Sequence, residues 1–371
     1  MIDLHEKQAE LVFRSWLMLL LAILIALWGL GAIYGVLSAS GKWEHFLVRQ
    51  ALWTLTALAL LALLWRTPFD RLARRAVPLG LGGWLALALL PWFGMRINGM
   101  RGWYDAGSVM IQPSELVKGL YLLLLVRILT RPGQTQRRRV LEAGAVMIGF
   151  GGLILAQPDW GTALVFAAGG LGALYFCRVD WRWLAASGAV GAAGLIAVIF
   201  RHEYMLRRIL SFADPGLDPG GAGWHQRQFA IAAARGEWFG VKGEMAVWSA
   251  GFLPLSHNDS IYSGLTEATG VVGAGLLLFL FGVWFRQWFR LGELCCDPMR
   301  RGYLDTAAAM VLFQTLLHVG VNLGMLPPTG ITLPLVSYGG SSMLGTMLML
   351  GLALSAVREE LAGLPELARR R

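Results

Sequence analysis

Charged side chains make up only 15% of this 371-residue chain, and the residues that could do chemistry collect in a few places. The stretch from Arg201 to Asp259 holds Arg207, Arg208, Asp214, Asp218, His225, Arg227, Lys242, His257 and Asp259, with Trp224 among them. A second stretch, Arg96 to Gly107, carries Arg101 and Trp103, whose setting among glycines suggests a tight, partly re-entrant segment, and leads to Gln112-Pro-Ser-Glu115. Lys118 follows one turn later, where an ammonium within an apolar run is costly unless it meets a partner or a polar cavity. Asp159, in Gln157-Pro-Asp-Trp-Gly-Thr162, and Glu267 complete the set. Cations and carboxylates converging on one outward-facing cavity suit a lipid-linked anionic substrate. Plainer readings stand beside this one. Glu115 and Asp159 occupy positions suited to helix starts, Lys118 could snorkel its ammonium to the surface, and His257 is more often a structural hydrogen-bonder than a base.

The elements that hold these residues are membrane helices. An ordinary soluble domain has about 25% charged residues and about 7% glycine. This chain is 56% hydrophobic with 47 glycines and a mean hydropathy of +0.56, which excludes a water-soluble globule, a disordered chain and a disulfide scaffold. Ser15 to Gly41 is 27 residues without a charge and Ala76 to Met95 is 20; a bilayer core needs about 20 apolar residues of helix. The first run is too long for the roughly 7–15-residue core of a signal peptide. Further spans are expected near 44–65, 113–130, 140–157, 160–177, 183–200 and 262–285. Thr306 to Val357 is 52 uncharged residues with Met325-Leu-Pro-Pro-Thr-Gly-Ile-Thr-Leu-Pro334 at its middle, so it divides into two helices. The expectation is an all-α polytopic membrane protein of about ten transmembrane helices, one domain over 1–371, with one large extracytoplasmic loop at about 201–261.

Basic residues orient these spans. The N-terminus, alternate loops and C-terminus hold 21 of the 32 Lys and Arg, the opposite short loops and span ends hold five, and the long loop holds six. The positive-inside rule then places both termini in the cytoplasm. The net charge of +9 resides in these loops and gives no reason to expect nucleic acid. The long loop is expected to be folded and functional, with a helix over Gln226 to Arg235. Cys177, Cys295 and Cys296 fall near cytoplasmic span ends, where reduced thiols are expected.

The motifs resemble those of the SEDS family (FtsW, RodA, SpoVE), in family order over about 100–342. Asn98-Gly-Met-Arg-Gly-Trp103 with Gln112-Pro-Ser-Glu115 is similar to its outer loop and fourth-helix start. Gln157-Pro-Asp-Trp-Gly-Thr-Ala163 is similar to its Gln/Glu-Pro-Asp-x-Gly-Thr motif. Arg208, Asp214-Pro215 and Asp218-Pro-Gly-Gly-Ala-Gly-Trp224 resemble its Asp-Pro-x-x-Asp-Pro-x-Gly-Ala-Gly-Tyr segment. Leu253-Pro254 with His257-Asn-Asp259 resembles Leu-Pro-Glu-x-His-Thr-Asp. Leu326-Pro-Pro-Thr-Gly330 and Pro334-Leu-Val-Ser-Tyr-Gly-Gly-Ser-Ser342 match closely, the latter read mainly as close helix packing through small residues.

The resemblance implies a peptidoglycan glycosyltransferase of the bacterial cytoplasmic membrane that polymerises lipid II on its outer side. It carries the essential carboxylate over to Asp259, as general base toward the acceptor sugar hydroxyl. The leaving group is already a lipid pyrophosphate, so positive charge is needed there and a general acid is not. Arg208, Lys118 and Arg101 are the candidate pyrophosphate contacts; Trp103, Asp159, Lys242, His257 and Glu267 join them as candidate substrate contacts. A divalent cation, Mg or Mn, is the one cofactor allowed for. The implied partners are a class B penicillin-binding protein, which is a transpeptidase, and other cell-wall machinery in the lipid bilayer. The chain departs from the family at Pro254-Leu255 (usually Pro-Glu), at Glu267-Ala268 (usually Glu-Glu) and over Gly240 to Trp248. Those departures motivate a second reading, a non-catalytic lipid II-binding scaffold. A third, a precursor flippase, would favour inverted repeats, and none is evident between the halves. The polymerase reading expects the Asp259 carboxylate to open to a cavity shared with Arg208 and Lys118; a carboxylate buried in helix packing or facing away from both would sink it.

Overall fold

The structure, a computed structural model, describes residues 4–38, 41, 43–97, 100–107, 109–214, 216–217, 220–241, 251–253 and 255–369. The apolar runs form helices because a backbone in lipid must satisfy its own hydrogen bonds. Helices α1 (Leu4–Leu37) and α2 (Trp43–Arg66) are followed by the short α3 (Phe69–Arg74). Then α4 (Ala76–Ala88) and α5 (Leu90–Phe93) together make one 18-residue span. The break between them is one turn's work of Pro91, whose ring denies the helix a donor and crowds the preceding turn.

Helices α6 (Pro113–Leu129), α7 (Gln136–Ala156), α8 (Trp160–Phe176) and α9 (Trp181–Arg201) come next. After the large loop follow α12 (Ile261–Leu294), α13 (Pro298–Asn322) and α14 (Gly340–Arg369). Eight of these spans are long and apolar enough to cross a membrane by themselves. The 17-residue α6 and α8 sit at the lower limit for a bilayer core and bring the described spans to the expected ten. The 306–357 run divides as expected, with residues 323–339 forming turns between α13 and α14.

The interior of the bundle is built from α6, α8, α13 and α14. Helix α14 packs along α2 and α6, α13 against α8 and α12, and α1 along α12. Of the most apolar windows of α13 and α14, 72% and 78% are buried, whereas α9 has no buried residue and lies at the edge beside α7, α8 and α10. The Arg96–Gly107 stretch, expected to be partly re-entrant, is instead a small antiparallel sheet in the order β1 (Met95–Ile97), β2 (Met100–Asp105), β3 (Met110–Ile111). Trp103 pairs with Met95 and Arg101 with Arg96. The Tyr104 hydroxyl donates to the Ala86 carbonyl at 2.7 Å and ties the sheet to α4.

Helices α10 (Glu203–Ala213) and α11 (Ala222–Arg235) lie in the large loop. The chain after α11 is stitched into a break in α12. Gly270 takes φ 70° and ψ −178°, a conformation open to glycine. The break frees backbone groups on both sides. Val271 N and Val272 N donate to the carbonyls of Glu237 and Trp238 at 2.9 and 3.1 Å, and Val241 N donates to that of Glu267 at 3.1 Å. Three of the backbone groups beside the kink are thereby satisfied by one crossing strap. Beside it Arg235 Nε donates to Glu267 Oε1 at 3.0 Å.

Candidate active site

A cavity of about 1330 Å³ opens at the end of the bundle where α2, α8, α12 and α14 begin. Its apolar lining includes Leu52 and Trp53 of α2 and Met95, Ile97 and Met100 of the sheet. Its polar lining includes Asp159, Arg208, His257 and Asp259 together with Thr329, Thr332 and Ser342. These polar residues arrive from several different elements. Asp159 caps α8, accepting from Thr162 N at 3.0 Å, as its Asp-Trp-Gly-Thr context suggests. Arg208 comes from α10 and donates through Nη1 to the Pro328 carbonyl at 3.1 Å.

Asp259 stands two residues before α12 on a segment held at its backbone from two sides. Asn322, the last residue of α13, donates from Nδ2 to the Asp259 carbonyl at 2.9 Å, while its Oδ1 accepts from Ser263 N at 3.1 Å. One turn earlier His318 Nδ1 donates to the Ile331 carbonyl at 2.8 Å. From the other side Tyr338 N donates to the His257 carbonyl at 2.8 Å, and Ser337 Oγ donates to the Asn258 carbonyl at 2.8 Å. Gln50 of α2, 1% exposed, holds that turn in place: Oε1 accepts from Gly339 N at 3.0 Å and Nε2 donates to Ser337 O at 3.3 Å. Asn322 of α13 and the 337–339 turn, itself held by Gln50 of α2, thus fix residues 257–259.

Burial pushes the Asp259 carboxyl up to about 7, with Arg208 opposing the rise and Asp159 adding to it. A carboxyl held there is half ionised at neutral pH, the state a general base needs. Asp159 is also raised, first by burial, against its cap bonds to Thr162. His257 is driven down to about 4 by burial. Its ring lies 4.4 Å from that of Phe46 and 5.5 Å from that of Tyr338, so it serves as a neutral ring in an aromatic box.

Of the residues singled out from sequence, Asp259, Arg208, Asp159, His257 and Trp103 line this one cavity. Lys118, Arg101 and Glu267 do not. Lys118 is 2% exposed and donates to Glu115 Oε1 at 2.6 Å and Gln314 Oε1 at 2.9 Å. An ammonium inside the bundle is held by a carboxylate within hydrogen-bond reach, so it neither snorkels outward nor enters the cavity with Arg208. Its contact with the cavity is indirect, through Gln314 Nε2 to Thr332 O at 3.0 Å and Thr332 Oγ1 to Ser342 Oγ at 2.7 Å. Arg101 is exposed and donates to the Pro91 carbonyl. Glu267 is wholly buried against Arg235 beneath the strap. Lys242 lies outside the described residues, as do Asp218, Pro254 and the 243–248 part of the eroded segment.

Sequence reasoning passed over Gln50, Asn322, Arg49, Trp160 and Thr329. Arg49, Trp160 and Thr329 line the cavity. Gln50 and Asn322 had a legible signal, an amide inside an apolar span.

The family model described as Cell cycle protein, for FtsW, RodA and SpoVE, matches residues 9–361. The "Probable peptidoglycan glycosyltransferase FtsW" of Thioalkalivibrio sulfidiphilus (strain HL-EbGR7) is 35% identical over 96% of this chain and 92% of that relative. The protein of the same name from Nitrosococcus halophilus (strain Nc4) is 34% identical over 95% and 94%. Among solved structures, a chain of "Structural coordination of polymerization and crosslinking by a peptidoglycan synthase complex" superposes with a TM-score of 0.80 at 30% identity, covering 93% of this chain and 98% of that one. Rod shape determining protein RodA of Thermus thermophilus superposes with a TM-score of 0.70 at 29% identity, over 93% and 97%. With the motifs, the span order and these full-length matches in agreement, this integral membrane protein belongs to the FtsW/RodA/SpoVE family.

Proposed function

We propose that the chain is a peptidoglycan glycosyltransferase that polymerises lipid II, with Asp259 as general base. The observation that carries this reading is Asp259 itself, a carboxyl poised near 7 that opens to a large cavity beside Arg208. In the proposed reaction Asp259 takes the proton of an acceptor sugar hydroxyl. The freed oxygen attacks the anomeric carbon of the donor, the new C–O bond inverts that centre, and the bond to the lipid pyrophosphate breaks. The departing group carries its negative charge away, so cations rather than a proton donor assist it. Arg208 and Arg49 are the lysine or arginine side chains that line the cavity among the described residues, and they are the proposed pyrophosphate contacts. The apolar lining, with Leu52, Trp53 and Met95, would carry the start of the lipid chain.

Among the described residues no three or more His, Cys, Asp or Glu converge, so this part of the chain offers no preformed metal cage. Mg or Mn would travel with the pyrophosphate and take most of its oxygens from it. Asp159 and Trp103 are proposed to shape the cavity walls, and Lys118 and Glu267 to hold its frame. The excess of Lys and Arg on one set of loops supports cytoplasmic termini and a site on the outer side of a bacterial cytoplasmic membrane. The proposed partner is a class B penicillin-binding protein, which would crosslink the strands made here.

The test is polymerisation of lipid II by the purified protein, wild type beside Asp259→Asn, with and without the cognate transpeptidase. Glycan strands from wild type and none from the variant are expected. A second reading, the lipid II-binding scaffold, draws on Leu255, which lines the cavity where the family has glutamate. Lipid II binding without strands under every condition would favour it.

A further inference from the structure

We infer that Thr329, Trp160 and Asn258 form the subsite for the acceptor saccharide, an inference that rests on the reaction proposed above and assigns one of its two sugars a place. Ten buried side-chain polar atoms among the described residues have no hydrogen-bond partner. Three of them, Thr329 Oγ1, Trp160 Nε1 and Asn258 Oδ1, belong to residues lining the same cavity. Thr329 and Trp160 are each only 6% exposed. Buried polar groups are nearly always paired, and leaving one unmet is costly. Three such atoms on residues of one cavity mark a site built to hydrogen-bond something that enters.

Chain neighbours and close contacts place all three residues near Asp259. Asn258 is its neighbour in the chain. Gly330, next to Thr329, adopts φ +72°, and a Cβ there would stand 3.5 Å from Asp259 Oδ2. Gly161, next to Trp160, is pressed against the same turn: a Cβ would lie 2.9 Å from the Thr329 carbonyl oxygen and 3.0 Å from Thr329 Cβ. The start of α8 and the 329–330 turn therefore form one wall.

The chemistry of that wall selects its guest. Indole N–H only donates, the asparagine oxygen only accepts, and the threonine hydroxyl does either. None is charged. A pyrophosphate offers acceptors alone and is drawn to arginine. A sugar ring with hydroxyls and an acetamido group offers both donors and acceptors. A base must lie within hydrogen-bond reach of the proton it removes, so the sugar seated beside Asp259 is the one that loses a hydroxyl proton, the acceptor.

The experiment uses the full-length protein and a labelled donor whose acceptor hydroxyl is capped, so that its label enters product only when it acts as donor. Lipid II is varied as acceptor against Thr329→Val, Thr329→Ser and Trp160→Phe. Thr329→Val and Trp160→Phe should each raise the acceptor KM about 5–10-fold, the loss of one hydrogen bond, with kcat and donor KM little changed, and Thr329→Ser should restore it. Because the Thr329 hydroxyl bonds nothing in the protein, Thr329→Val should melt no lower than wild type, which separates recognition from a structural role. Wild-type acceptor KM in both variants, or a rise in donor KM alone, overturns the assignment. Absence of polymer from wild type itself overturns the reaction on which it rests, and the assignment with it.

Discussion

Replacing Asp259 by asparagine should abolish activity and at the same time make the protein more stable at alkaline pH. The carboxyl is moved from an ordinary 3.8 to about 7, chiefly by burial. A folded-state pKa raised above the unfolded value means that the ionised form is tolerated less well in the fold than in the unfolded chain. The contribution is therefore fully favourable below pH 3.8 and is lost as the pH rises through 7. At about 1.4 kcal/mol per pH unit, a three-unit displacement has a ceiling of about 4 kcal/mol. The carboxylate is only part-buried and faces a cavity that admits water, so about half of that is expected. Asparagine has the shape of the neutral acid and no charge to desolvate. Spread over a chain of this length, a gain of about 2 kcal/mol corresponds to roughly 2–3 °C in melting temperature. The assay is thermal unfolding of the detergent-solubilised wild type and Asp259→Asn at pH 4.5 and pH 8.5. The variant should melt higher at 8.5 and equally at 4.5, and the kcat/KM of wild type should climb with an apparent pKa near 7. Equal melting at both pH values, or a gain at 4.5 as large as at 8.5, would refute the claim that the base is held ready by burial.

Asn322→Ala removes the donor to the Asp259 carbonyl and the acceptor of Ser263 N; it should lower the unfolding free energy by about 1–3 kcal/mol and depress kcat more than it raises KM, as steady-state kinetics will show. Gly270→Ala places a side chain at φ +70° against the backbone of Trp238 and Phe239, and should destabilise by more than about 1 kcal/mol, read as a lower melting temperature. Lys118→Met leaves Glu115 as a charge inside the bundle and should cost about 3–5 kcal/mol. The double variant Lys118→Met/Glu115→Leu should recover most of that in the same melting assay.

The spans were legible because the rule behind them is coarse: lipid accepts only long apolar helices, and charge-free runs of the right length declare them. Even the division of the 306–357 run followed from its prolines and glycine. What escaped was the use of irregular backbone. Arg96 to Asp105 has glycines and an aromatic residue, and nothing in its spacing distinguishes a three-stranded sheet from a re-entrant turn. The strap across Gly270 is a match between two segments about 30 residues apart, made wholly of backbone hydrogen bonds. Such bonds carry no side-chain signature, so a glycine within an apolar run reads the same whether it packs, bends or breaks the helix.

At the site the sequence named mostly ionisable residues and passed over several neutral ones, and the reason is instructive about membrane interiors. A charge in an apolar run is conspicuous, so Lys118 and Glu267 drew notice, yet each is held by an opposite charge and kept from the cavity. An ammonium whose charge is met at 2.6 Å by Glu115 presents little field to a ligand beyond it, since the pair acts at a distance as a dipole. The net positive potential available to a pyrophosphate must then come from arginines that reach the wall, Arg49 and Arg208. Conversely, a threonine hydroxyl or an indole scarcely disturbs a hydropathy profile, and Thr329 and Trp160 are hidden by the same apolarity that reveals the spans. Conspicuous charge inside this bundle marks its frame, and the surfaces that would hold and orient a sugar are made of groups too weakly polar to stand out.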